Sequence, residues 1–77
     1  MNWENYIISN AEILGGKPTI KGTRLSVELI LERLVDGWTE AMLLEAYPTL
    51  YKEGLQAVYA LSLENMKETS FHDLKTA

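Results

Sequence analysis

The feature that most constrains this chain is a helical period that begins at Ser26 and is broken twice before residue 64. Val27, Ile30, Leu31, Leu34 and Val35 fall at i, i+3, i+4, i+7 and i+8, a single apolar stripe with Glu28, Glu32 and Arg33 lying off it. Ser26 is a favoured N-cap because its hydroxyl accepts from a free N–H of the first turn. Asp36-Gly37 closes the helix, since glycine takes the left-handed position after a helix end without a Cβ clash. Thr39 then caps a second helix with Glu40 at the positive end of its dipole. Met42, Leu43, Ala46 and Tyr47 are its expected buried face, and Pro48 stops it. From Leu50 a third pattern runs through Leu55, Val58, Tyr59 and Ser62, flanked by Leu61 and Leu63. That apolar surface is wider than one core stripe, so the third helix is expected to meet a partner, most simply a second copy in a homodimer.

Upstream the pattern is different. Tyr6-Ile7-Ile8-Ser9 is rich in strand formers and bounded by Asn5 and Asn10. Pro18-Thr19-Ile20 is a second strand-like piece, placed at an edge or a strand start because proline has no N–H to give a ladder. Gly15, Gly16 and Gly22 supply turns. The expected fold is mainly α with a small β element: an N-terminal β-hairpin followed by a three-helix bundle. Its connections, at 37–38 and 48–51, place a helix-turn-helix in helices two and three. Residues 1–66 form the one domain expected of a 77-residue chain, and the polar stretch 67–77 reads as a frayed or partner-ordered tail.

Composition narrows the function classes. Apolar residues make up 47% and charged residues 23%, which is globular and not disordered. There is no cysteine, so neither a disulfide nor a thiolate metal site is available, and a reduced cytoplasmic setting is expected. No run approaches the ~20 apolar residues of a membrane span, and the start lacks the basic segment of a secretion signal. The net charge of −4 argues against indiscriminate nucleic-acid binding. The distribution matters more: residues 13–24 carry +3 through Lys17, Lys21 and Arg24, while residues 25–77 carry −5. A cationic loop on an acidic body is either an anion-binding device or a solvated turn.

Catalysis finds little support. His72 is the single histidine and falls in the tail, the acids are scattered, and no nucleophile stands beside a base. No metal or other cofactor is expected. The glycine-rich segment from Gly15 to Thr23 lacks the Gly-Lys-Ser/Thr end of a phosphate loop, which favours a structural turn. Trp38 is expected to cover the bundle end, and Trp3 to pack beside the hairpin. If helix three reads DNA, its first turns present Tyr51, Lys52 and Gln56, with Gln56 suited to adenine and Lys52 to guanine or phosphate. Glu53 in the same turn would repel phosphate, and a solvated helix face is the plain alternative.

The run Ile13-Leu14-Gly15-Gly16-Lys17-Pro18-Thr19-Ile20-Lys21-Gly22-Thr23-Arg24-Leu25-Ser26-Val27 resembles the signature of a bacterial family called domain of unknown function 433. The resemblance continues through Leu34-Val35-Asp36-Gly37-Trp38-Thr39 and Glu45-Ala46-Tyr47-Pro48, and spans roughly residues 6–63. It implies a trihelical, homeodomain-like fold. Many members are described as VapB-like antitoxins encoded beside a PIN-like ribonuclease toxin, so the resemblance implies a type II antitoxin that binds such a toxin, with operator DNA as a second partner. On that reading Lys17, Lys21 and Arg24 would enter or cover the toxin's acidic site, and Phe71 and Leu74 would anchor the tail in a toxin groove. The rival is a stand-alone DNA-binding regulator. A wholly structural role also stands for the motif: glycines meeting turn geometry, and Arg24 satisfying carbonyls at a helix end or pairing with Glu28.

Overall fold

The strand formers and the glycine turns give a hairpin that is shorter than the sequence suggests. The computed structural model describes residues 1–69. Strand β1 (Ile7–Ile8) pairs antiparallel with β2 (Thr19–Ile20), with Ile7 opposite Ile20 and Ile8 opposite Thr19. A 3-10 turn at Trp3–Asn5 precedes β1, and another at Leu14–Gly16 lies in the long connection. One further isolated bridge pairs Thr19 with Ser26, just ahead of α1.

Between β2 and α1 the motif residues make one tight, closed turn. Gly22 has φ +84°, a left-handed position that suits glycine. The Thr23 hydroxyl donates to the Ile20 carbonyl at 2.8 Å and accepts from Leu25 N–H at 3.0 Å. Buried Thr23 therefore commits its hydroxyl to the backbone, giving the Leu25 N–H a partner and adding a second donor to the Ile20 carbonyl, which also accepts from Thr23 N–H. This part of the motif builds structure.

Helix α1 (Val27–Val35) starts where expected, with Ser26 Oγ accepting from Leu29 N–H at 2.9 Å. It ends in a Schellman cap: Gly37 N–H donates to Leu34 O, Trp38 N–H donates to Arg33 O, and Gly37 has φ +94°. Trp38 stacks on Tyr47 with ring centroids 6.1 Å apart, and Arg33 sits over the indole while donating to the Tyr47 hydroxyl. Half-buried Trp38 thus closes one end of the bundle, as its position implies. Helix α2 (Glu40–Ala46) is capped by Thr39, whose hydroxyl accepts from Met42 N–H while its own N–H points at the Met42 sulfur. Helix α3 (Lys52–Glu68) follows the Tyr47-to-Leu50 turn and runs two residues past Met66. The Tyr59 hydroxyl ties it to α2 by donating to Glu40 at 2.9 Å.

The core is Ile7, Ile20, Leu25, Val27, Ile30, Leu43, Leu50, Leu55, Ala57 and Val58, with Ile20, Ile30, Leu43, Leu55, Ala57 and Val58 at or near zero exposure. Two expected faces are narrower than their periodicity implies. In α2 only Leu43 is buried: Met42 is turned to cap its own helix, Ala46 is exposed, and Tyr47 is half-buried in the aromatic stack. In α1, Val35 is 85% exposed, because the last turn projects past the elements it would pack on.

The start of α3 meets β2 at a glycine. Gly54 is buried, and a Cβ added there would lie 2.7 Å from Ile20 Cγ2 and 3.2 Å from the Tyr51 ring. Alanine at this position would gain about 1 kcal/mol of helix propensity. Fully buried, β-branched Ile20 has nowhere to swing, so overpacking outweighs that gain. Gly54→Ala is expected to lower unfolding free energy by about 1–3 kcal/mol in urea titration, whereas Val35→Ala should stay within about 0.5 kcal/mol of the parent. A more stable Gly54→Ala protein would contradict this packing.

Candidate partner-binding site

Packing Ile20 against Gly54 fixes where the cationic turn can sit. The Tyr51 hydroxyl donates to the Lys21 carbonyl at 3.0 Å, across thirty positions of sequence, and its ring lies 6.4 Å from Tyr6. Lys21 N–H in turn donates to the Tyr6 carbonyl at 2.8 Å. Gly22, Thr23, Arg24 and Leu25 line a shallow recess with Thr49 of the α2–α3 turn, closed on its other side by Ile8 and Ile13. The β2–α1 turn is therefore docked beside the turn of the helix-turn-helix. The Lys21 backbone is thereby tied to Tyr51, the residue that precedes Lys52 at the start of α3.

The side chains of Lys21, Arg24 and Lys52 are exposed, and among the described residues none of them makes an ion pair. Lys17 has a different fate. Its ammonium lies 3.1 Å from Glu28, with both side chains about 60% exposed. An ion pair this open contributes little to stability. It does take up Glu28, so the pairing of Arg24 with Glu28 considered from sequence does not form. Lys17 and Arg24 both border a second recess, with Leu14, Ser26, Glu28, Leu29 and Glu32. The loop's charges thus differ in setting: Lys17 is paired with Glu28, Arg24 borders both the recess of the α1 acids and the one that reaches Thr49, and Lys21 is tied to the helix-turn-helix through its carbonyl.

On α3, Lys52, Glu53 and Gln56 are exposed, while Gly54, Leu55, Ala57 and Val58 are buried. The first two turns present a polar outer face, as base or phosphate contact requires. Tyr51 does not share it. Half-buried, with its hydroxyl committed to Lys21, it positions the cationic turn and leaves the outer face to Lys52 and Gln56. It is also the residue before the helix, yet it caps no N–H with its side chain; Glu53 in the first turn meets the helix dipole instead. Phe71 and Leu74, the expected tail anchors, lie outside the described residues.

The candidate site is the exposed pair Lys21 and Arg24 on the β2–α1 turn, which Tyr51 ties to the start of α3, where Lys52 is also exposed. Sequence reading finds each of these residues but not the tie between the two segments, because in sequence Tyr51 looks like a contact residue and not like a link to Lys21. Among the described residues, no group of three or more His, Asp or Glu side chains is placed to hold a metal, and no buried side-chain polar atom lacks a partner. No helix among them is long and apolar enough to cross a membrane.

A family model described as "Protein of unknown function (DUF433)" matches residues 7–61. No curated protein and no solved structure matches the chain.

Burial raises the Tyr51 phenol above its ordinary range, with Tyr6 and Glu53 adding to the effect. The folded state therefore favours the protonated, donating form. Its stabilising contribution is complete below the unfolded tyrosine value of about 10 and is lost as pH climbs through the higher folded value. Tyr51→Phe is expected to cost about 1 kcal/mol at neutral pH, and the gap from the parent should shrink above pH ~10. Chemical denaturation at a series of pH values reads both; a gap that stays constant into strong alkali would contradict the assigned hydrogen bond.

Proposed function

Since this chain belongs to the DUF433 family, whose description assigns no activity, we propose from its geometry and resemblances that it is an antitoxin-type binding module acting as a homodimer on a PIN-like ribonuclease toxin in the cytoplasm. The observation that carries the reading is the exposed cationic corner of Lys21 and Arg24, held on a rigid turn and projecting from an acidic body. A nuclease of that type works through clustered carboxylates that hold magnesium. Cationic side chains on a preorganised turn can neutralise those carboxylates at low entropic cost, because the turn is already ordered before binding. The acidic remainder of the chain suits the cationic surface that a ribonuclease needs for RNA.

Exposure of Lys52 and Gln56 on the first turns of α3, with Lys21 tied to that end of the helix through Tyr51, supports a second partner, operator DNA. Phosphate contact would come from Lys21 and Lys52, and base contact from Gln56.

Co-expression with the product of the adjacent gene tests the first reading. The parent chain should relieve growth inhibition and co-purify with that product. Lys21→Ala/Arg24→Ala should weaken the complex by roughly tenfold or more while leaving the fold of the exposed corner intact, and Lys17→Ala should do far less because Glu28 already engages it. Undiminished binding by the double variant would reject the assignment. For DNA, an upstream fragment should be shifted at low salt, and Lys52→Ala should reduce the salt slope by about 1; the absence of any low-salt shift would remove DNA from the proposal.

A further inference from the structure

Among the described residues, Arg24 is the only charged one lining the recess between the β2–α1 turn and the α2–α3 turn. This recess of about 500 Å³ has Ile8, Ile13 and Leu25 as its apolar walls and reaches Thr49 on the far side. Three other recesses formed by these residues carry charges of both signs. Lys17 stands with Glu28, Glu32 and Asp36 between α1 and α3, and Lys67 with Glu4 and Glu64 beside Trp3. In the third, Lys17 and Arg24 stand with Glu28 and Glu32. The walls of the singly charged recess are fixed by internal bonds. Buried Leu25 and Thr23 are joined through the Thr23 hydroxyl, and Ile13 N–H donates to the Asn10 carbonyl at 2.9 Å. The Ser9 hydroxyl, which donates to the Gly16 carbonyl, closes the same connection. Arg24 itself is exposed and makes no ion pair among the described residues.

We infer that this recess binds a segment of a partner protein that presents an aliphatic side chain with a carboxylate next to it. The aliphatic group packs on Ile8, Ile13 and Leu25, and the carboxylate meets Arg24. Charge selects that occupant. An aliphatic group seated there takes apolar wall out of water, which is favourable. It also strips water from the Arg24 guanidinium, which is costly unless an anion replaces that water. A carboxylate does so with two parallel N–H···O bonds, whereas a cation is repelled. The recess is shallow, so a small free carboxylate would stay largely in water, while a protein segment adds contacts on the surface around it. For the identity of the partner the inference rests on the proposed function, and it adds to that reading an aliphatic neighbour for the carboxylate that Arg24 engages.

Methyl NMR on the full chain reads the site without any toxin. An N-acetylated, C-amidated Gly-Leu-Asp-Leu-Gly peptide at millimolar concentration should shift the methyl signals of Ile8, Ile13 and Leu25 more than those elsewhere. Gly-Leu-Lys-Leu-Gly and Gly-Gly-Asp-Gly-Gly peptides should each bind roughly tenfold more weakly. Arg24→Glu, at an exposed position where the fold tolerates change, should reverse the order of the Asp and Lys peptides, which loss of a merely structural arginine would not do. Equal binding of the Asp and Lys peptides by the parent, shifts centred outside the recess, or no shift at all would each overturn the inference. So would 4-methylpentanoate binding as tightly as the Asp peptide, since the site would then suit a free small acid. A parent chain that fails to bind the neighbouring gene product, yet answers the Asp peptide at the recess, would reject the reading of function and support the recess. A complex with that product that is weakened by Arg24→Ala, in a chain that ignores the peptide, would do the reverse.

Discussion

The contact on which the rest of the molecule depends is the close approach of α3 to β2 at Gly54 and Ile20. A helix that starts with a buried glycine lets a fully buried isoleucine from a two-residue strand come within a distance that no Cβ would allow. Two hydrogen-bonded residue pairs cannot hold a hairpin in water by themselves. Here the strand survives because its inward face is part of the helical core, and the helices gain a cover that three short cylinders alone would lack. At 77 residues there is little surplus burial, so a gap at this joint would be felt throughout.

From that joint the candidate site follows. With Ile20 pinned, the next residue, Lys21, offers its carbonyl to Tyr51, and Gly22 and Thr23 close the turn that presents Arg24. The cationic corner is therefore an extension of the core. Its side chains are free to meet a partner, while the backbone beneath them is held by Thr23 and by α3. The same constraint divides the start of α3 into a buried inner face and a polar outer face.

Much of this is legible in the residues. Helix starts at Ser26 and Thr39, the stop at Gly37, and the three-helix order all follow from side chains whose local chemistry decides the outcome without tertiary help. Sequence makes the strands too long and the buried face of α2 too broad, because periodicity reports which residues can face a core and not how much core there is to face. Met42 and Val35 are the clearest cases: each continues an apolar pattern beyond the reach of a neighbour. Gly54 illustrates the opposite limit. In sequence it is a weakness in a helix, and only the position of Ile20 makes it a requirement. The joining of Lys21 to Tyr51 is hidden for the same reason, since a hydrogen bond between residues 21 and 51 leaves no local pattern.

The most direct test of this account is a proton–proton distance in the free protein. With no Cβ at residue 54, one Gly54 Hα points along the direction in which the added atom would meet Ile20 Cγ2. A strong nuclear Overhauser effect between that proton and the Ile20 γ2-methyl is expected, together with slow exchange of the Lys21 and Thr23 amides, both of which donate to backbone carbonyls. If that cross-peak is missing in a folded sample, the strand is not seated on the helix, and the cationic corner has no foundation.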